Sequence, residues 1–228
     1  MRSLTHYSIN TGKLSTPLNF GVITDIHNDS FDDIWPMLEG VDALLVPGDI
    51  SNRYTQEYDL GIKFLSECAK RYPTFFSLGN HEIRQEKYDE FIKEAYTTGA
   101  NILLNQYIPF RDILIGGWYK PSKDSTANDT MLHDFSSSDR VKLLLSHKPD
   151  WYASHIKHLP IDFIVSGHAH GGQIRFFNQG LYAPDQGFFP RYTKGIVDNR
   201  MVISTGASNP SFMPRINNPC EIVWLTLN

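Results

Sequence analysis

Five apolar runs of strand length each end in a short cluster of ligand-type residues. "LNFGVITD" leads into Asp25-Ile26-His27 and "VDALLVPGD" into Gly48-Asp49. "PTFFSLGNHE" holds Gly79-Asn80-His81-Glu82, "VKLLLSHKPD" holds Ser146-His147, and "IDFIVSGHAH" closes on Gly167-His168-Ala169-His170. No other feature constrains the fold as strongly. Between the early runs lie segments of helical period. "TQEYDLGIKFLSECAKRY" repeats apolar residues at Leu60, Ile62, Phe64, Leu65 and Cys68, and "EKYDEFIKEAYTT" is followed by Gly99, a natural helix stop. "FDDIWPMLEG" predicts a short helix begun or broken at Pro36, and "WYASHIKHL" another after His147. "NILLNQYIPFRDILIGGWY" predicts two strands joined by a turn, and "MVISTGAS" and "EIVWLTLN" predict late strands. Strand and helix alternate early and strands follow one another late, which predicts an α/β layered domain with at least one mixed sheet. Ligands in α/β sheets collect outside the carboxyl ends of strands. The five clusters are therefore expected to converge.

The residue types suit a pair of metal ions. Two divalent cations about 3.5–4 Å apart need a bridging anion together with neutral nitrogen and oxygen donors. Asp49 can bridge through its two carboxylate oxygens. Asp25, His27 and His170 would complete one ion, and Asn80, His147 and His168 the other. The i, i+2 spacing of His168 and His170, set among glycines, can give one imidazole to each. Mixed imidazole and oxygen donors suit Mn, Fe, Zn or Co better than Ca, which takes oxygen throughout.

In order, "DIH", "GDIS", "GNHE", "SH" and "GHAH" resemble the ligand motifs of the calcineurin-like metallophosphoesterase superfamily, from about residue 19 to 173. "GHAHGGQI" further resembles a bacterial phosphohydrolase branch marked by Gly-His-Thr-His-Gly-Gly-Gln, with Ala169 in the threonine's place. The resemblance implies a four-layered αββα sandwich with two mixed β-sheets, read here as one domain over residues 1–228. It implies two divalent transition metal ions per chain and hydrolysis of a phosphate ester by a hydroxide held between them. It adds His81, oriented by Glu82 or another carboxylate, as the residue that protonates the leaving oxygen or stabilises the transition state.

The rest of the sequence sets the class of substrate and partner. A formal charge of −4 gives no global attraction to nucleic acid, which argues against a nuclease. The opening "MRSLTHYSINTGKLS" lacks the apolar core of a signal peptide, and no apolar run approaches the roughly 20 residues of a membrane span. A cytoplasmic enzyme acting on a small phosphate ester is expected, with its oligomeric state left open. Cys68 and Cys220 read as reduced thiols. Residues 118–138 and 178–195 read as long polar loops, and long loops are often functional. Arg191 and Tyr192, soon after His170, are candidate substrate contacts. Trp118, Tyr119, Phe188, Phe189 and Tyr192 could flank a second substituent on phosphorus. Lys148 and Arg191 are read as the cations that serve the ligands. Both points predict a phosphodiesterase or pyrophosphate-bond hydrolase. A phosphomonoesterase on the same ions is the alternative, and a non-catalytic scaffold of this fold is a weaker one, since no ligand is missing.

Overall fold

The computed structural model describes residues 2–10, 12–55, 57–120 and 129–228. The first strand, β1 (Ser3–Ile9), alternates half-buried and exposed residues, the pattern of a sheet edge. Next come β2 (Leu18–Val22), β3 (Ala43–Val46), β4 (Thr74–Phe76) and β5 (Asn101–Ile102). A last strand, β16 (Glu221–Leu227), inserts between β1 and β2. In this first sheet β2, β3, β4 and β5 run parallel, while β16 pairs antiparallel with β2. β3, "ALLV", is buried along its whole length, as expected of a parallel strand covered on both faces.

The second sheet is also six-stranded and mixed. β6 (Gln106–Phe110) and β7 (Ile113–Gly117) form a hairpin, and β8 (Val141–Leu145) and β9 (Phe163–Ser166) follow parallel to β7. β14 (Gly195–Val197) and β15 (Met201–Ile203) finish the far side. "NILLNQYIPFRDILIGGWY" therefore holds three strands rather than two: β5 closes the first sheet and the β6–β7 hairpin opens the second. The apolar run gave no sign that the chain changes sheet within it.

Three separate apolar clusters define the layers. Phe20, Leu45 and Phe75 of the first sheet pack against Ile115, Leu143 and Val165 of the second. Burying each such side chain stabilises the fold by about 1.5–3 kcal/mol. On the outer face of the first sheet lie α1 (Asp59–Arg71), the short α2 (Asn80–Ile83), α3 (Tyr88–Thr97) and a 3-10 turn at Asp32–Leu38 that contains Pro36. Phe64, Leu65 and Phe91 anchor them. On the outer face of the second sheet lie α4 (Asp129–Ser136) and a π-turn at Tyr152–Ile156, anchored by Phe135, Tyr152 and Ile156. Helices, sheet, sheet and helices make the αββα sandwich.

Two expected loops are corrected. Residues 118–138 include α4, because Met131, Leu132 and Phe135 bury one face of it; the polar flanks concealed this short apolar pattern. Residues 121–128 lie outside the described residues. The stretch 178–195 contributes to two short hairpins, β10 (Arg175–Phe176) with β11 (Gln179–Gly180), and β12 (Tyr182–Ala183) with β13 (Gly187–Phe188). No helix among the described residues is long and apolar enough to cross a membrane.

Candidate metal centre

The carboxyl ends of β2, β3 and β4 in one sheet and of β8 and β9 in the other open onto the same edge of the sandwich. All five ligand clusters meet there. Asp25 is fully buried, and His27, Asp49, Asn80, His81, His147, His168 and His170 are each at most 9% exposed. The loops hold one another as well as their own sheets. The Asp25 N–H donates to the Gly48 carbonyl at 3.1 Å and the His27 N–H to the Asp49 carbonyl at 3.0 Å. Between sheets, the His168 N–H donates to Asp25 Oδ2 at 3.2 Å, and the Gly167 N–H to the His147 carbonyl at 3.0 Å joins neighbouring loops of the second sheet.

Local backbone geometry explains the glycines. Gly48 has φ of +100°, and a Cβ there would lie 2.2 Å from the Gly79 nitrogen. At Gly167 a Cβ would lie 2.4 Å from Asp25 Oδ2. Asp25, His27, Asp49, His168 and His170 themselves take left-handed φ between 45° and 66°. Such a conformation costs non-glycine residues on the order of 1–3 kcal/mol each, and it persists only where the surroundings over-determine it. Buried Arg175 supplies part of that constraint, donating to the Gly171 carbonyl at 2.7 Å and to Thr193 Oγ1 at 2.9 Å. Asn218 Nδ2 donates to the carbonyls of His170 and Gln173.

The donor atoms form three overlapping groups, two of them flanking Asp49 and a third joining His27, Asp49 and His81. Asp25, His27 and His170 make one three-residue set, and Asp49, His147 and His168 another. Asp25 Oδ1 lies 3.6 Å from His27 Nε2 and 3.5 Å from His170 Nε2. Asp49 Oδ2 lies 3.9 Å from His27 Nε2 and 3.0 Å from His147 Nε2, so it faces both sets. Ligands of one ion, each bonded at ~2.0–2.2 Å, stand about 3–4 Å apart. Several of these buried atoms make no hydrogen bond among the described residues: both ring nitrogens of His27, Asn80 Oδ1 and His147 Nε2. His147 Nε2 is close to Asp49 but out of line for a hydrogen bond. Unpaired buried polar atoms are costly, and divalent ions would satisfy this set. The residues fit metal ions.

The remaining contacts aim the rings. His147 Nδ1 donates to the Pro47 carbonyl at 2.8 Å, which leaves the Nε2 lone pair facing Asp49. His168 gives Nε2 to Asp185 Oδ2 at 3.1 Å, which leaves Nδ1 free. Arg215 Nη2 packs 3.0 Å from His170 Nδ1 while donating to the carbonyls of Thr205 and Ser208. Burial disfavours charge on Asp49, yet His147, His81 and His27 hold its carboxyl well below the ordinary range. Burial likewise opposes charge on His147, but Asp49 lifts it to about 9. Burial pushes His170 down to about 3, against the pull of Asp25. The site is thus a set of anionic carboxylates among imidazoles.

His81 is held differently from what the sequence suggested. Glu82 does not orient it. The buried Glu82 carboxylate accepts from the backbone N–H groups of Asp49, Ser51 and Gly79 and from Ser51 Oγ, which staples the second and third clusters together. His81 Nδ1 instead accepts the Arg53 N–H at 3.2 Å, so the neutral ring carries its proton on Nε2. Burial pushes the ring down to about 4 despite Asp49. The geometry suits a hydrogen-bond donor more than a proton donor.

A cleft of about 710 Å³ opens over these residues, with Asp49, Asn80, His81, His168 and His170 in its floor. Arg53, Arg84 and Lys148 bring positive charge to it, and Tyr54, Tyr182 and Phe212 form apolar walls. Arg191 and Tyr192 do not line it. Tyr192 is buried behind the second sheet against Tyr152, with ring centroids 6.1 Å apart, and the Arg191 guanidinium lies over the Tyr192 ring at 5.2 Å. The hairpins after His170 carry the chain away before residue 191. Trp118 is likewise buried, against Trp151, and Phe188 and Phe189 lie outside the cleft lining. Tyr182, Pro184 and Asp185 of this segment line the cleft, and Asp185 bonds both His168 and Lys148 Nζ. In "APDQG" it reads as a plain turn aspartate, and nothing local in the sequence marks it.

A profile of the calcineurin-like phosphoesterase family matches residues 18–172, and the chain belongs to that family. It is 29% identical over 238 residues to an uncharacterized metallophosphoesterase of Campylobacter jejuni, a match covering 94% of this chain and 60% of that protein. A metallophosphoesterase of Helicobacter pylori is 25% identical, with 94% of this chain and 61% of that protein covered. Phosphodiesterase YaeI of Escherichia coli is 28% identical over 172 residues, covering 72% of this chain and 60% of that protein. The chain spans about three fifths of the length of these curated relatives.

Proposed function

We propose that this protein is a dinuclear metal-dependent phosphoesterase, and that it favours phosphodiesters or pyrophosphate-linked compounds over monoesters. The observation that carries the two-ion reading is Asp49 Oδ2, which faces His27 in one donor set and His147 in the other. Asp25, His27 and His170 would hold one ion; Asn80, His147 and His168 would hold the second, with Asp49 shared. Two divalent ions bound there would supply Lewis acidity and lower the pKa of water. The chain's own residues do the rest. Glu82 and Arg175 keep the ligand loops in register, and His81 Nε2–H is placed to donate to a phosphoryl or leaving oxygen. The name of YaeI supports the diester class by analogy.

The preference for diesters rests on space at the site. The cleft continues on two sides of Asn80 and Lys148, one side broad and apolar, the other a smaller pocket walled by Tyr119 and Trp151. Each side can take one substituent of a diester. The shortage of cations expected from sequence does not support it, because Arg53 and Arg84 join Lys148 at the cleft. Those same cations favour the second reading, a phosphomonoesterase, whose substrate carries two charges. Comparing kcat/KM for matched 4-nitrophenyl mono- and diesters at one pH with one metal separates the two. A higher value for the diester is expected, and a clear preference for the monoester would reverse the assignment.

Asp185 supplies a further test of this reading. If His168 is a metal ligand, the carboxylate on its far nitrogen fixes the ring. Asp185→Ala is then expected to weaken one ion about 10–100-fold, the usual cost of losing such a partner, and to leave the other unchanged. Chelator competition with each metal would measure it, and equal affinities in variant and parent would remove His168 from the ligand set.

A further inference from the structure

We propose that the smaller pocket beside Asn80 and His147 binds a second phosphate of the substrate, which narrows the substrate class to pyrophosphate-linked or bisphosphorylated compounds. This deepens the hydrolase reading above and rests on it. The pocket has a volume of about 260 Å³ and begins at two proposed ligands of one ion, so a group bound in it lies next to the reacting phosphorus. Its lining carries Arg84, Lys120 and Lys148 against a single carboxylate, Asp185.

Two of the three cations have donors left over. Lys148 is engaged by Asp185. Lys120 is only 5% exposed, yet its one charged partner among the described residues is Asp129 at 3.7 Å, beyond hydrogen-bond reach. Lys120 lines the pocket with no closer partner than Asp129 among the described residues, and a phosphate oxygen there would give its ammonium a charged hydrogen bond. Arg84, at the mouth shared with the main cleft, makes no side-chain ion pair or hydrogen bond among the described residues. Its planar fork is suited to bidentate contact with phosphate. A neutral substituent would add no charged contact to either group, whereas a second phosphate engages Lys120 from inside and Arg84 from the rim. Leu78, Ile83 and Trp151 in the walls exclude water and strengthen those contacts.

The test measures binding, so that it does not depend on turnover. Imidodiphosphate, a pyrophosphate analogue resistant to hydrolysis, and orthophosphate are titrated calorimetrically into the Mn-loaded protein with free metal buffered. The parent is expected to bind imidodiphosphate more tightly than orthophosphate. Arg84→Met and Lys120→Met are each expected to cut that affinity ratio by about tenfold or more, the scale of one charged hydrogen bond. No preference in the parent, or an unchanged ratio in both variants, overturns the proposal. Arg84 is exposed, so its variant decides the matter if loss of the buried Lys120 impairs folding. Absence of ester hydrolysis by the parent would count against the hydrolase reading alone, while hydrolysis with no change in the ratio would count against this pocket alone.

Discussion

Asp49→Ala is expected to empty both ion positions and to lower phosphodiester turnover by at least about 10³-fold, since the charge stabilisation contributed by bound metals amounts to several kcal/mol and each 1.36 kcal/mol is tenfold. Asp49 is the carboxylate whose oxygen lies near both His27 of one set and His147 of the other. Elemental analysis after gel filtration would report the loss directly. Asp49 also accepts the His81 N–H at 2.8 Å through Oδ1, so alanine disturbs the third cluster too. Asp49→Asn separates the effects: its amide oxygen can keep that hydrogen bond or ligate one ion, but it cannot supply a bridging anion. It is expected to retain the fold and lose metal. A single ion that survives both substitutions would mean that Asp49 does not bridge.

His81→Ala is expected to keep both ions and lose about 10²–10³ in kcat, the range for removing one positioned donor to a developing oxyanion. The neutral ring, with Nδ1 taken by the Arg53 N–H, predicts that this loss is similar for nitrophenyl and for poorer leaving groups. A loss that shrinks for nitrophenyl esters would make His81 a proton donor to the leaving group instead. Loss of metal would make it a ligand, a role its position within reach of His27 and Asp49 also permits.

How far the sequence carried the reading depends on whether a signal is local. The clusters were legible because each sits at the end of its own apolar strand, and strand ends of parallel sheets share an edge by construction. The convergence of Asp25, Asp49 and His168 therefore follows from strand ends alone, without any long-range contact. Asp185 does not show, because a left-handed turn in a hairpin brings it to the site; Arg53 and Arg84, by contrast, directly follow the clusters of Asp49 and His81, so their presence at the cleft is a local feature. Arg191 and Tyr192 failed for the converse reason. They are near His170 in sequence, but two hairpins intervene and Tyr192 has an apolar cluster to join. The change of sheet between β5 and β6 was hidden in the same way, inside one apolar run.

Two ions are proposed to act together at Asp49. Titrating Mn²⁺ into metal-free protein while following hydrolysis of bis(4-nitrophenyl) phosphate tests it most directly. Activity is expected to stay near background through the first equivalent and to rise only as the second binds. Full activity at one equivalent, or none after two are bound, would contradict it.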